Sequence, residues 1–362
     1  MLHFLWCDYN LGENSYHCYE GSSLEIAKWS EYYLGQKTAF HQSSWLAGKV
    51  TDCQEDILIG QPTWDSRADI DKSKNGKLLR NWVKDNSLSP SDNCHPNTYI
   101  FFPWVPELPS LWLDNMPYLE TQLLAARKIF ALCGDIWIKR TLEKNDDSIQ
   151  SRVKDKLIHC NMGVAAQNLP IFKKKFNPIG ERQLLHISNL MDYKGFDITW
   201  KSLQNIDALL HVASYCITDN IGLLGIDINH EEKYIFNFIG SIDNNDPEFN
   251  HWVVENCDFY IHTARMDAQS TTILENCARG LIPLVTPESG FSSPHAIYLT
   301  QDPAENHKIV EWALNLPESE LLGRSQKLRE QMFREHNWEG IFDKIWNEIV
   351  IDINHRKLNE ST

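Results

Sequence analysis

Several function classes are excluded by what this 362-residue sequence lacks. Positive charge is scarce: 34 Lys and Arg stand against 49 Asp and Glu, a formal net charge of −15. A general nucleic-acid binder needs a basic footprint, so none is expected as a partner. No apolar run reaches the roughly 18–20 residues of a membrane span. The N-terminal MLHFLWCDYN has no Lys or Arg ahead of its short apolar run, so it reads as a first strand and not as a secretion signal. There are nine cysteines but no CxxC pair and no His/Cys cluster with metal spacing. That argues for a reduced, cytoplasmic protein without a structural metal. GxGxxG, GxxxxGK[ST] and GxSxG are all missing, which removes the dinucleotide fingerprint, the P-loop and the hydrolase nucleophile elbow. No short-period repeat and no low-complexity segment occurs.

What is present is a regular alternation. Short, nearly continuous apolar runs bounded by turn residues recur along the chain. They are Leu2 to Cys7, Asp56 to Gly60, Thr98 to Phe102, Asp135 to Ile138, Leu157 to Cys160, Gln183 to Ser188, Tyr234 to Gly240, Asp258 to His262 and Leu281 to Thr286. Such runs fit buried parallel strands, and the amphipathic pieces between them fit helices. In PYLETQLLAARKIFALCG, helical spacing from Leu119 to Ala131 predicts one helix closed by Gly134. Strand–helix alternation over the whole length implies an α/β fold with parallel sheets. The length exceeds what one core fills, so two domains are expected. The charged KKKFNPIGER, with Pro178 and Gly180, is the best boundary, giving domains at 1–178 and 179–335. Residues 336–353 form a final amphipathic helix, with Trp338, Ile341, Phe342, Ile345, Trp346 and Ile349 on one face. Asp65 to Pro96 reads as an insertion or mobile loop, and Asn354 to Thr362 as a disordered tail.

The most informative stretch is DFYIHTARMDAQSTTILENCARGLIPLVTPESGF, Asp258 to Phe291. It reads as strand, loop, helix, strand, loop. The helix begins at Ser270 or Thr271, residues that cap well, and ends at Gly280. Its N-terminus presents unpaired amides and positive dipole character, which favours a phosphate at Ser270, Thr271 and Thr272. Asp267 in the loop and Glu275 one turn into the helix can face one pocket. The bland alternative is a solvated helix acid and a loop-capping Asp.

This stretch resembles retaining glycosyltransferases of the GT-B fold, family 4 in particular. The resemblance rests on Asp267, seven intervening residues, Glu275, then Ala278, Gly280 and IPLVT. It extends to LLHISNLMDYKGFD, where Lys194 and Gly195 fall on the family's Lys-Gly and Asn189 on its Arg. This sequence departs from the family in having Asp at 267 where Glu is usual and Asn at 189 in place of Arg. Ala268, Gln269 and Ser270 replace a glycine-rich loop. The resemblance is good over roughly Gln183 to Val350 and topological over the N-terminal half. It implies two Rossmann-like domains facing across a cleft, with the last helix crossing back to the N-terminal domain. It further implies a metal-independent, retaining transfer of a sugar from a nucleotide-diphosphate donor to a hydroxyl of a glycan, glycolipid or other acceptor, as in polysaccharide or glycoconjugate synthesis. Asp267 and Glu275 become the catalytic pair, touching the donor sugar and the ribose, and Lys194 the diphosphate ligand. Gly12, in the loop after the first strand, takes the place of a donor-facing glycine.

Other candidates rest on position alone. Arg265 and His262 flank the same loop, the first suited to a phosphate and the second as often a packed core histidine. His41, Trp64 and Asp65 follow apolar runs and are candidates for the acceptor side. Lys173 to Lys175 read as a solvated linker or a peripheral contact with the inner face of a membrane. Two alternatives stay open: a non-catalytic nucleotide- or glycan-binding protein on this scaffold, and a sugar-nucleotide epimerase.

Overall fold

The computed structural model describes residues 2–5, 16–19, 57–60, 97–107, 119–214, 236–243 and 246–360. The chain divides into two compact units. One comprises Met1–Cys133, Trp137–Asn161 and Trp338–Thr362, the other Gly134–Ile136 and Met162–Asn337. The chain passes to the second unit at Met162, ahead of the KKKFNPIGER stretch that reads as a boundary in the sequence.

Among the described residues the first unit carries six strands: β1 Leu2–Leu5, β2 Tyr16–Tyr19, β3 Ile57–Gly60, β4 Thr98–Pro103, β5 Lys128–Leu132 and β6 Leu157–Cys160. Their order is β2-β1-β3-β4-β5-β6. Among the described residues, only the β1–β2 pair is antiparallel. Tyr99 to Phe102 on β4 and Ile129 to Leu132 on β5 are buried, as expected of parallel strands covered on both faces.

Two sequence expectations fail here together. The helix predicted through Ala131 stops early, as α1 Leu119–Ala125, and its last apolar residues form β5. The predicted strand at DIWI is instead the start of α2 Asp135–Glu143. Five consecutive residues, KIFAL, fill the sheet between β4 and β6, where burial on both faces overrides helical spacing. Asp135 then opens a helix whose Trp137 and Thr141 face inward, Thr141 accepting from Trp104 Nε1 at 3.0 Å. A further short helix, α3 Ile149–Val153, precedes β6.

The second unit has an all-parallel sheet of β7 Leu184–Ile187, β8 Leu210–Ala213, β9 Phe236–Gly240, β10 Phe259–His262, β11 Ile282–Val285 and β12 Ile297–Tyr298. The order is β12-β11-β10-β7-β8-β9. This is the doubly wound Rossmann arrangement, with the reversal of winding between β7 and β10. Its described helices are α4 Phe196–Ser202, α5 Pro247–Asn256, α6 Thr271–Ala278, α7 Pro303–Leu314 and α8 Glu318–Glu335.

The last helix, α9 Trp338–Glu360, belongs to the first unit. Trp338, Ile341, Phe342, Ile345 and Ile349 are buried, and Phe342 meets Phe101 edge-on at 6.4 Å. The helix runs on to Glu360, so the tail expected to be disordered from Asn354 is helical instead. Asp352 supplies part of the reason. It accepts from Tyr99 Oη at 2.7 Å and from Arg127 Nε and Nη2 at 2.5 and 3.1 Å. Arg356 adds a bond to Asn97 Oδ1 at 2.6 Å.

The reading of Lys173 as linker or membrane contact is also corrected. Its ammonium is buried, 3.0 Å from the Val254 carbonyl and 3.1 Å from Asp258 Oδ1. Asp258 accepts as well from Asn177 N and Nδ2 and from Gln183 N. Removing one partner of such a pair would strand a buried charge. Among the described residues no helix is long and apolar enough to cross a membrane. Cys133, Cys160, Cys257 and Cys277 are buried thiols and form no disulfide.

Candidate functional site

In open α/β sheets, ligands bind beyond the carboxyl ends of the strands where the winding reverses. In the second unit that point lies after Ile187 of β7 and His262 of β10. Two loops leave from it. The β7 loop carries Asn189, a short turn Asp192–Lys194, and Gly195, which opens α4. The β10 loop carries Arg265, Asp267 and Gln269 and ends on Ser270, the N-cap of α6.

Glycine shapes the first loop. Gly195 has φ of 66°, and a Cβ there would fall 1.9 Å from the Thr263 carbonyl oxygen. Only glycine lets the chain turn left-handed while passing this close to the end of β10. Thr263 Oγ1 donates to the Gly195 carbonyl at 2.6 Å and fastens the approach. Gly290 does the same for the second loop, with φ of 73° and a virtual Cβ 2.1 Å from the Ala268 carbonyl oxygen. Gln269 is buried, its Oε1 accepting from Met162 N at 2.6 Å and its amide donating to the Gly290 carbonyl at 3.3 Å. The residues standing where the resembled family has glycines thus anchor the loop.

The two loops meet through Lys194 and Asp267, Nζ to Oδ2 at 2.5 Å, with side chains only 16% and 13% exposed. His262 Nε2 approaches the same oxygen at 3.3 Å. Burial alone would raise the Asp267 carboxyl; the Lys194 charge and the His262 hydrogen bond outweigh it and hold it well below the usual carboxylate range. Burial also works against the Lys194 ammonium, and the Asp267 charge more than offsets it, so Lys194 stays charged. Burial, reinforced by Lys194 and only partly opposed by Asp267, depresses His262 and keeps its imidazole neutral.

Around this cluster the hydroxyls form a chain. Ser270 Oγ and Thr272 Oγ1 lie 2.9 Å apart, Thr272 Oγ1 and Tyr260 Oη 2.6 Å, and Tyr260 Oη donates to the Ile187 carbonyl at 2.9 Å. Ser270 occupies the N-cap position with extended backbone but makes no side-chain cap bond. The first amides of α6, at Thr271 and Thr272, therefore keep the unpaired character of a helix start. Glu275 sits one turn on, half-buried, and burial pushes its carboxyl up to about 7, with Arg279 pulling the other way.

Of the residues singled out in the sequence, Lys194, Asp267 and His262 come together, with Ser270, Thr271, Thr272 and Glu275 following on α6. Asn189 lies on the β7 loop, where its amide donates to Tyr193 Oη at 3.4 Å and its carbonyl accepts from Met191 N at 3.2 Å. Arg265 is already committed: both terminal nitrogens bind the Asp197 carboxylate at 2.8 Å, and Nη1 donates to the Asp192 carbonyl at 2.7 Å. Gly12, His41, Trp64 and Asp65 lie outside the described residues.

Sequence reading missed His186 and Ser188. The His186 ring bonds the Ile261 carbonyl through Nδ1 and Ser188 Oγ through Nε2, both at 2.8 Å, and Ser188 Oγ accepts from Leu190 N at 3.1 Å. Burial drives its pKa down to about 3, so it is a neutral strut for the β7 loop. A histidine inside an otherwise apolar buried strand was the available signal.

No protein-family model matches the sequence, and no curated protein sequence matches it. Solved structures do. A variant of Staphylococcus aureus TarM, in complex with fondaparinux, α-GlcNAc-glycerol and UDP, aligns at TM-score 0.55 and 13% identity over 83% of this chain. The chain spans only 56% of that TarM chain. Anabaena HepE, in complex with UDP and glucose, gives 0.54 and 10%, covering 90% of this chain and 81% of HepE. A glycosyltransferase from Rickettsia africae gives 0.53 and 14%, covering 92% and 84%. These neighbours have the GT-B fold, and at such identities the likeness establishes that fold for the chain.

Proposed function

We propose that the protein is a glycosyltransferase that moves a sugar from a nucleotide-diphosphate donor to a hydroxyl acceptor. The observation that carries this reading is the Lys194–Asp267–His262 cluster at the switch point of the second sheet, beside the start of α6. A diphosphate laid against Thr271 and Thr272 would meet the unpaired amides of the helix, and Lys194 would neutralise its charge. Fixed positive charge at the leaving diphosphate is the electrostatic stabilisation that glycosyl transfer needs. Asp267 would then accept from hydroxyls of the donor sugar and Glu275 from the ribose. UDP in TarM and HepE supports a uridine nucleotide as the first donor to try.

The finer expectations stay with this reading. The transfer is proposed to retain configuration, as family 4 does, to run without a metal, and to use a glycan or other sugar hydroxyl as acceptor, the first unit serving the acceptor side. A place in polysaccharide or glycoconjugate synthesis, in the cytoplasm, follows from the same reading.

A thermal-shift screen with UDP, GDP and ADP and their sugars tests it, because a ligand that binds the folded chain stabilises it by mass action. One nucleoside diphosphate should stabilise, and its sugar should be hydrolysed or transferred with EDTA present. Binding without any release of nucleotide would favour a non-catalytic binding protein. Release of free sugar in a changed configuration, with no acceptor needed, would favour an epimerase.

A further inference from the structure

His262 is fully buried, yet Nε2 finds its partner in a carboxylate and Nδ1 has no hydrogen-bond partner among the described residues. An unpaired buried nitrogen costs on the order of 1–3 kcal/mol, which an apolar residue at the end of β10 would avoid. The ring is held in one orientation by its neighbours. It stacks on His186 at 5.6 Å and 22° and on Tyr260 at 6.2 Å and 20°. His186 differs from it, since both of its nitrogens are spent on the strand and loop of β7. The imidazole of His262 is neutral, so with Asp267 ionised Nε2 carries the proton and donates it, leaving Asp267 its full charge.

We propose that His262 is a positioning residue: through Nε2–H it fixes the Asp267 carboxylate toward the donor sugar when Lys194 is drawn to the donor diphosphate. The inference rests on the proposed glycosyl transfer. Lys194 is then shared between two anions, while Nε2–H of His262 stays on the Asp267 carboxylate. His262 reaches Asp267 Oδ2, the same oxygen that Lys194 holds, so the carboxylate need not swing when the ammonium turns away. His262 acts through Asp267 and touches no substrate itself.

The test compares His262→Gln with His262→Asn in the full chain. The glutamine amide reaches the position of Nε2; the asparagine amide reaches only that of Nδ1. The probes are UDP, GDP and ADP for affinity, and release of nucleoside diphosphate from UDP-glucose, UDP-GlcNAc, GDP-mannose and ADP-glucose for turnover. His262→Gln should keep kcat within about threefold of the native chain, and His262→Asn should lower it by at least about tenfold, about 1.4 kcal/mol. The diphosphate Kd should change less than about twofold in both. In an Asp267→Asn background the two variants should become equal, because the residue they act through is gone. Equal rates for Gln and Asn in the native background, or a loss of diphosphate affinity that matches the loss of kcat, would overturn the proposal. If His262→Asn does not fold, His262→Phe takes its place with the same expected loss, and a native rate in Phe overturns the proposal. Failure of the underlying reading looks different: the native chain would gain no stability from any of the three diphosphates and release none from any donor, and the proposal would fall with it.

Discussion

Lys194 and Asp267, on loops that leave adjacent strands, sit 2.5 Å apart, so each charge is already answered before any ligand arrives. A donor diphosphate must therefore compete with Asp267 for the ammonium. Asp267→Asn removes the competitor while keeping the shape. Diphosphate affinity is expected to rise about three- to tenfold, and sugar transfer to fall at least about a hundredfold. Lys194→Ala should do the opposite to affinity, weakening nucleoside diphosphate more than nucleoside. Calorimetric Kd values for UDP and uridine in both variants check this. Weaker UDP binding in Asp267→Asn would remove the competition argument.

Glu275 gives a pH signature. Burial holds its carboxyl near 7 in the folded chain, against an ordinary value of 4.5. Between those values the folded state keeps a proton that the unfolded chain has lost, so its contribution to stability falls as pH rises through the window. The full effect is at most about 3 kcal/mol. Glu275→Gln cannot titrate and should gain stability relative to the native chain as pH goes from 5 to 7.5. Urea midpoints of both proteins across that range provide the measurement, and parallel curves would contradict the assignment.

Much of the site was readable because its signals are local. Phe259 to Ile261 is a short apolar run flanked by Asp258 and His262, Ser270 and Gly280 bracket α6 within one window, and the Asp267–Glu275 spacing lies on a single loop and helix. What was not readable depends on partners far away in sequence. Arg265 looks like a free cation beside a phosphate site until Asp197, 68 residues earlier, takes both of its nitrogens. Lys173 looks like one of three solvated lysines until Asp258 claims it. KIFAL shows why apolar spacing misleads at short range. A five-residue run with four buried positions satisfies a helix and a strand equally, and only the place between β4 and β6 decides. The acidic net charge has a similar resolution: the proposed donor site depends on Lys194 and a helix start, not on the total.

The first unit offers a prediction independent of any ligand. Asp352 near the end of α9 accepts from Tyr99 on β4 and Arg127 ahead of β5, and these bonds depress its carboxyl against the effect of burial. Asp352→Asn should cost about 2 kcal/mol, and Tyr99→Phe about 1 kcal/mol, since it leaves the Arg127 bond in place. Because they share one network, the double variant should cost less than the sum. The native advantage should fade as pH falls through the ordinary Asp value of 3.8, where the unfolded chain takes up a proton that the folded carboxylate still resists, and it is lost once pH passes below the depressed folded value. Denaturant midpoints for the four proteins in the cycle test this; additive costs would mean that Tyr99 does not act through the Asp352 carboxylate.

Gly180 and Gly195 separate backbone strain from crowding. Both have positive φ, 91° and 66°. A Cβ on Gly180 would meet nothing within 4 Å, whereas one on Gly195 would be driven into the Thr263 carbonyl. Gly180→Ala should therefore cost only the left-handed penalty, about 1 kcal/mol. Gly195→Ala should cost at least about 2 kcal/mol more, because α4 and the end of β10 must separate to admit the methyl group. That separation carries Lys194, the residue before Gly195, away from Asp267. Gly195→Ala should lose nucleoside diphosphate affinity as well as thermal stability, while Gly180→Ala loses only a little stability. Melting curves with and without UDP distinguish them. Equal melting temperatures for the two variants would show that the Thr263 carbonyl yields easily and that the approach of the β7 loop to β10 is not what fixes Lys194.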